Sequence, residues 1–229
     1  MNKDPASVWR RRLLSVGTPV VAGVDFRAEF RDDAGHRREV DRAFLAWCER
    51  GGPGVDKSAC DGVGAGGAVE VALWAALATG AEAREVESAL QIARSHERTA
   101  WDSGALLPQG RTALEVWTET DLCCLHALWW LARLHQREDW AVLVDDAAGW
   151  HLENVQPDNA TTHPWGLHLF ALRDIRAGCG GGGGGDGAAR LHAEMMLHNC
   201  QVSLGRADRL SALILVDAAR AIGTACPEG

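Results

Sequence analysis

Short phrases of this sequence recur around a segment, Leu125 to Gln156, that itself reads as a complete helical hairpin. Ala-Leu-Trp occurs at 72–74 and 127–129, Leu-His-Ala at 125–127 and 191–193, and Asp-Ala-Ala at 146–148 and 217–219. Such recurrence marks an architecture in which similar helix pairs stack, because each pair needs a neighbour to bury its apolar side. Within the segment, Leu122, Leu125, Leu128, Trp129 and Ala132 share one helical face. Arg137-Glu138-Asp139 turns the chain, Trp140, Leu143, Val144, Ala147 and Leu152 supply the apolar side of the return helix, and Pro157 ends it.

The same periodicity predicts helical hairpins over 68–96, 118–156 and 188–222, within one domain spanning 1–229. Val40 to Arg50 and Pro164 to Leu172 read as single helices. Thr118 with Asp121 three residues on resembles a cap at the start of the 118–156 pair. Over 20–41 the period changes to two, with Val24, Phe26, Ala28 and Phe30 alternating with polar residues before Asp32-Asp33-Ala34-Gly35, so a short β-hairpin is expected there. Six consecutive glycines at 180–185 make 178–187 a flexible loop.

Composition narrows the function classes. A net charge of -8 with scattered arginines lacks the clustered basic surface that nucleic acid needs. No run of about 18 apolar residues exists to span a membrane. Seven cysteines without a C-x-x-C pair read as buried thiols of a reducing compartment. Trp9-Arg10-Arg11-Arg12-Leu13-Leu14 faintly resembles a twin-arginine export signal, but Ser15, Gly17, Thr18 and Pro19 interrupt the apolar stretch, so a cytoplasmic chain is expected.

Several motifs fail on their context. Gly51 to Ser58 ends in Lys57-Ser58 as a phosphate loop does, yet Asp56 stands where that loop has glycine and a helix precedes it instead of a strand. Gly62, Gly64 and Gly67 have dinucleotide spacing without the buried strand that motif requires. Glu194 and His198, four apart, have no third ligand at a diagnostic spacing, so neither a metal nor another cofactor is expected.

The wording Ala-Leu-x-x-Leu-Ala-x-Leu, then Asp139-Trp140, then Asp146-Ala147-Ala148-x-Trp150-x-Leu152-Glu153-Asn154 resembles the hairpins of α/α-toroid proteins, the architecture of six-hairpin glycosidases and terpenoid cyclases. The resemblance covers less than half the chain. It implies an all-α fold of stacked helical hairpins forming a partial or small α/α toroid around a cavity, with a second copy as one way to complete the ring. Neither the Asp-x-Asp-Asp cyclase motif nor a prenyltransferase zinc triad is present, so no catalytic residue carries over.

Two clusters hold the chemistry. Glu119 and Asp121, with Asp158 in the 156–165 loop, supply the paired carboxyl groups that glycoside hydrolysis uses as acid and as base or nucleophile. Trp117, His163, Trp165 and His168 are the matching substrate-binding candidates, offering indole faces for sugar C–H surfaces and imidazoles that exchange protons near neutrality. The same residues also have structural readings: Asp121 as a cap, Asp158 in a turn and Trp165 in the core. Asp217, on the apolar stripe of Leu210, Leu213, Ile214 and Ala218, must find a partner, because an unpaired buried charge is expensive. The sequence thus predicts a helical-repeat scaffold or binding protein that meets a protein or saccharide through loops at one end of the stack. A carbohydrate-active enzyme of the toroid type is the alternative, with isoprenoid chemistry third.

Overall fold

The computed structural model describes residues 4–21, 39–49, 68–95, 104–155, 163–179 and 187–227. Among the described residues there are nine α-helices and no strand: α1 (Pro5–Val21), α2 (Glu39–Glu49), α3 (Val69–Thr79), α4 (Ala83–Arg94), α5 (Leu114–Leu134), α6 (Glu138–Asn154), α7 (Leu167–Cys179), α8 (Ala188–Val202) and α9 (Arg209–Ala225). The fold is all-α. Most of the β-hairpin expected over 20–41 lies outside the described residues, and its two ends belong to α1 and α2. The glycine run of 178–187 also falls largely outside them, as do Gly51 to Ser58, Gly62 to Gly67 and Asp158. No helix among the described residues is long and apolar enough to cross a membrane.

α5 is the axis of the molecule. At 21 residues it is about 30 Å long, and every residue from Asp121 to Ala132 is buried. A helix hydrophobic all round belongs in the interior, and the apolar face predicted from Leu122, Leu125, Leu128, Trp129 and Ala132 is only part of what α5 buries. α3 and α6 pack against it, α4 against α3, and α7 joins α8 and α9. α3 is more apolar on average than α5, and it stops at Gly80, whose φ of 66° lets its N–H return to the Ala76 carbonyl.

The cap predicted at Thr118 and Asp121 is not at a helix end. α5 begins at Leu114 behind Ala113, so both residues lie inside the helix. Asp121 instead accepts the Leu107 N–H at 2.6 Å and the His151 Nε2–H at 2.7 Å, tying the segment before α5 and the body of α6 to one buried carboxylate.

α1 closes the bundle by lying antiparallel on α9. Gly17 faces Ala212, Leu215 and Val216, while Arg10 lies against Gly223 near the other end. Trp9 and Leu13 of the Arg-rich segment are buried core residues, and the Trp9 indole donates to Asp174 on α7 at 2.8 Å.

Candidate functional site

Four rings from four parts of the chain meet in the interior. Phe44 of α2, Trp74 of α3, His126 of α5 and Trp165, just before α7, have centroids 4.8 to 6.5 Å apart. Most of these pairs are edge-to-face, which the aromatic quadrupole favours. All four side chains are fully buried. Trp165 therefore has no face turned to solvent for a sugar, and its indole N–H has no partner among the described residues.

Beside this cluster, Asp217 of α9 gathers donors from three helices. His126 Nε2 stands 3.0 Å and Trp130 Nε1 2.7 Å from its Oδ2, Trp47 Nε1 lies 3.3 Å from its Oδ1, and Arg220 bonds the same Oδ1. The tautomer of His126 follows from its neighbours. Its Nδ1 accepts the Gly166 N–H at 3.3 Å, so Nε2 carries the hydrogen given to the carboxylate. Burial pushes the Asp217 carboxyl up, but the hydrogen bond from His126, with the charge of Arg220 and the Trp130 N–H, holds it below the usual carboxylate range. Arg220 lies across Trp47 and Trp130 at 4.9 and 4.7 Å, so indoles flank the ion pair. This is the partner that the sequence required for Asp217.

His168 packs on His126 at 4.3 Å and on Trp129 at 4.9 Å, fully buried with both ring nitrogens unpartnered. Burial, then His126, push its pKa well below the usual value, so it is neutral at physiological pH. Trp117 is buried too, its indole N–H given to the Leu107 carbonyl at 3.1 Å and its ring stacked on His151. Asp121, Trp117, Trp165 and His168 are thus interior residues with no face open to a substrate. Buried thiols add no nucleophile, since burial pushes Cys124 well up and Cys200 up to about 12.

Two of the predicted residues do meet near the surface. His163 Nδ1 lies 2.7 Å from Glu119 Oε1, and its Nε2 faces Asp208 Oδ2 at 3.8 Å. The three side chains are 22%, 16% and 34% exposed, open enough to meet a partner from solvent. Because the Glu119 carboxylate can only accept, Nδ1 carries the hydrogen and Nε2 is turned to Asp208. The imidazole offers a different nitrogen to each carboxylate, so the three do not converge on one point. Among the described residues no group of His, Cys, Asp and Glu is arranged to hold a metal ion. Glu194, a metal candidate by spacing with His198, is taken by Arg12 and Arg190.

Asp208 is the member sequence reasoning missed. It is the N-cap of α9, accepting the Ser211 N–H at 2.8 Å and the Ser211 hydroxyl at 3.0 Å. Asp before Arg-Leu-Ser at a helix start signals the cap, but nothing in sequence signals its neighbour His163. Exposed apolar side chains occur close in sequence to these residues: Val116 one turn before Glu119, Val202 at the end of α8, and Leu204 on the connection that leads to Asp208. Compared with protein-family models, curated proteins and solved structures, the chain matches none.

Proposed function

We propose that this chain is a non-catalytic helical binding protein that meets a protein partner through the end of the bundle where α5 and α9 begin. The observation that carries the reading is the contrast between a ring-filled interior and the half-open Glu119–His163–Asp208 cluster. Two carboxylates joined through an imidazole, with the exposed Val116, Val202 and Leu204 close in sequence, suit a partner that brings a cation and apolar side chains. A partial toroid of hairpins remains the architecture proposed for the whole chain. A cytoplasmic location belongs to the same reading, supported by the free thiols of Cys48, Cys123, Cys124, Cys200 and Cys226.

The carbohydrate-active alternative asks for two carboxyl groups flanking an open space that admits a sugar and a water. Here an imidazole stands between Glu119 and Asp208, and Trp165 is enclosed. Photo-crosslinking amino acids placed at Val116 and Leu204 of the full chain in cells test the binding reading. Both are expected to capture one common protein, with the adduct lost on Glu119→Lys, while the same probe at exposed Val142 of α6 captures none of it. Capture that is equal at Val142, or no common adduct, would overturn the reading.

A further inference from the structure

Away from that end, α5, α6 and α7 leave a recess of about 110 Å³. Its floor is apolar and enclosed: Trp129, Val144, Ala148 and Leu172 are all buried. Its lining also carries charge, from Arg133 of α5, Asp145 of α6 and Arg176 of α7. The charges do not balance. Asp145 is shared by Arg176 at 3.1 Å and Arg173 at 3.1 Å, and Arg173 also bonds the Asp145 carbonyl.

Arg133 has no carboxylate partner among the described residues. Its guanidinium lies over Trp129 at 4.9 Å, and Nη2 donates to the Thr224 carbonyl at 3.1 Å. Those contacts hold the guanidinium at the rim, and among the described residues its other N–H groups have no acceptor. Two arginines and one carboxylate line the recess, which makes it a positive site on a chain whose net charge is -8. A guanidinium with spare donors is suited to a planar carboxylate.

We infer that the recess binds a small aliphatic carboxylate, its head on Arg133 and its chain on the floor of Val144, Ala148 and Leu172. The volume sets the size of that chain. An apolar cavity of about 150 Å³ holds benzene, so 110 Å³ admits a short branched chain and excludes a fused ring system. The site is separate from the Glu119–His163–Asp208 end and stands or falls independently of it.

Titration calorimetry of the full chain with 3-methylbutanoate, its neutral amide and inorganic phosphate tests the inference. Saturable heat is expected with the carboxylate, and binding at least about tenfold weaker with the amide and with phosphate, since each lacks one of the two matched features. Arg133→Gln should weaken the carboxylate at least about tenfold. Ala141→Phe, at an exposed rim position, should close the recess without disturbing the core. This second variant serves if Arg133→Gln loosens the fold. Absence of heat at millimolar carboxylate, equal binding of the amide or of phosphate, or unchanged binding in Ala141→Phe would each overturn the proposal.

Discussion

Asp217 shows how one residue organises the interior. Asp217 is only 3% exposed and takes bonds from His126, Trp130, Trp47 and Arg220, so its loss would strand several buried ring N–H groups and unpair a half-buried guanidinium. Breaking a buried pair in this way typically costs about 3–5 kcal/mol, and Asp217→Ala should lower unfolding free energy by that amount in a urea titration. The sequence revealed half of this arrangement. A carboxylate on an apolar stripe demands partners, but those partners lie 91 and 170 positions away, a proximity that only the assembled helices create. Histidine gives a second residue-level prediction. Burial, then the charge of His151, push the His192 pKa down to about 4, and burial also depresses His168. Both rings stay neutral in the folded chain while the unfolded chain binds protons below about pH 6.5. Stability is therefore full above that pH and is lost as pH falls toward about 4, by on the order of 3 kcal/mol for His192 at about 1.4 kcal/mol per unit. Melting curves from pH 8 to 4 should show this slope, and His192→Leu should flatten it.

At the scale of elements, helix identity was legible where periodicity or punctuation was strong, as in the pair joined at Gly80-Ala81 and in the helix led by Pro164. Boundaries were less so. α5 starts before Thr118 because Ala113 and Leu114 carry no cap signature, and a cap-like spacing inside the helix invited the wrong start. The packing of α1 was also hidden, since the Arg-rich segment that resembles an export signal is an amphipathic helix that buries Trp9, Leu13 and Gly17 and whose seam on α9 depends on Gly17. A Cβ there would lie 2.7 Å from the Ala212 carbonyl oxygen and 3.0 Å from Val216 Cγ2. Neither neighbour is the free end of a flexible chain, so Gly17→Ala must push the two helices apart. A loss of about 1–3 kcal/mol is expected from such overpacking, read by chemical denaturation. Gly178→Ala, where a Cβ meets nothing, is the matched control.

For the whole molecule, sequence reasoning looked for function in two loop clusters, and the helices sort those residues by depth. Glu119 and His163 come together near the surface, Asp121, Trp117, Trp165 and His168 are interior, and Asp158 lies outside the described residues. Residue type alone could not sort them, because an indole that stacks on a ligand and one that fills a core look identical in sequence. Aromatic rings fill the interior, which on the proposed reading leaves recognition to the outer surface. Trp165 tests that filled interior most directly, by the unfolding free energy of Trp165→Ala against the unaltered chain. A core tryptophan packed among Phe44, Trp74 and His126 should cost about 3–5 kcal/mol on truncation. A change under about 1 kcal/mol, as surface substitutions give, would mean that Trp165 lines an open site and would contradict the account.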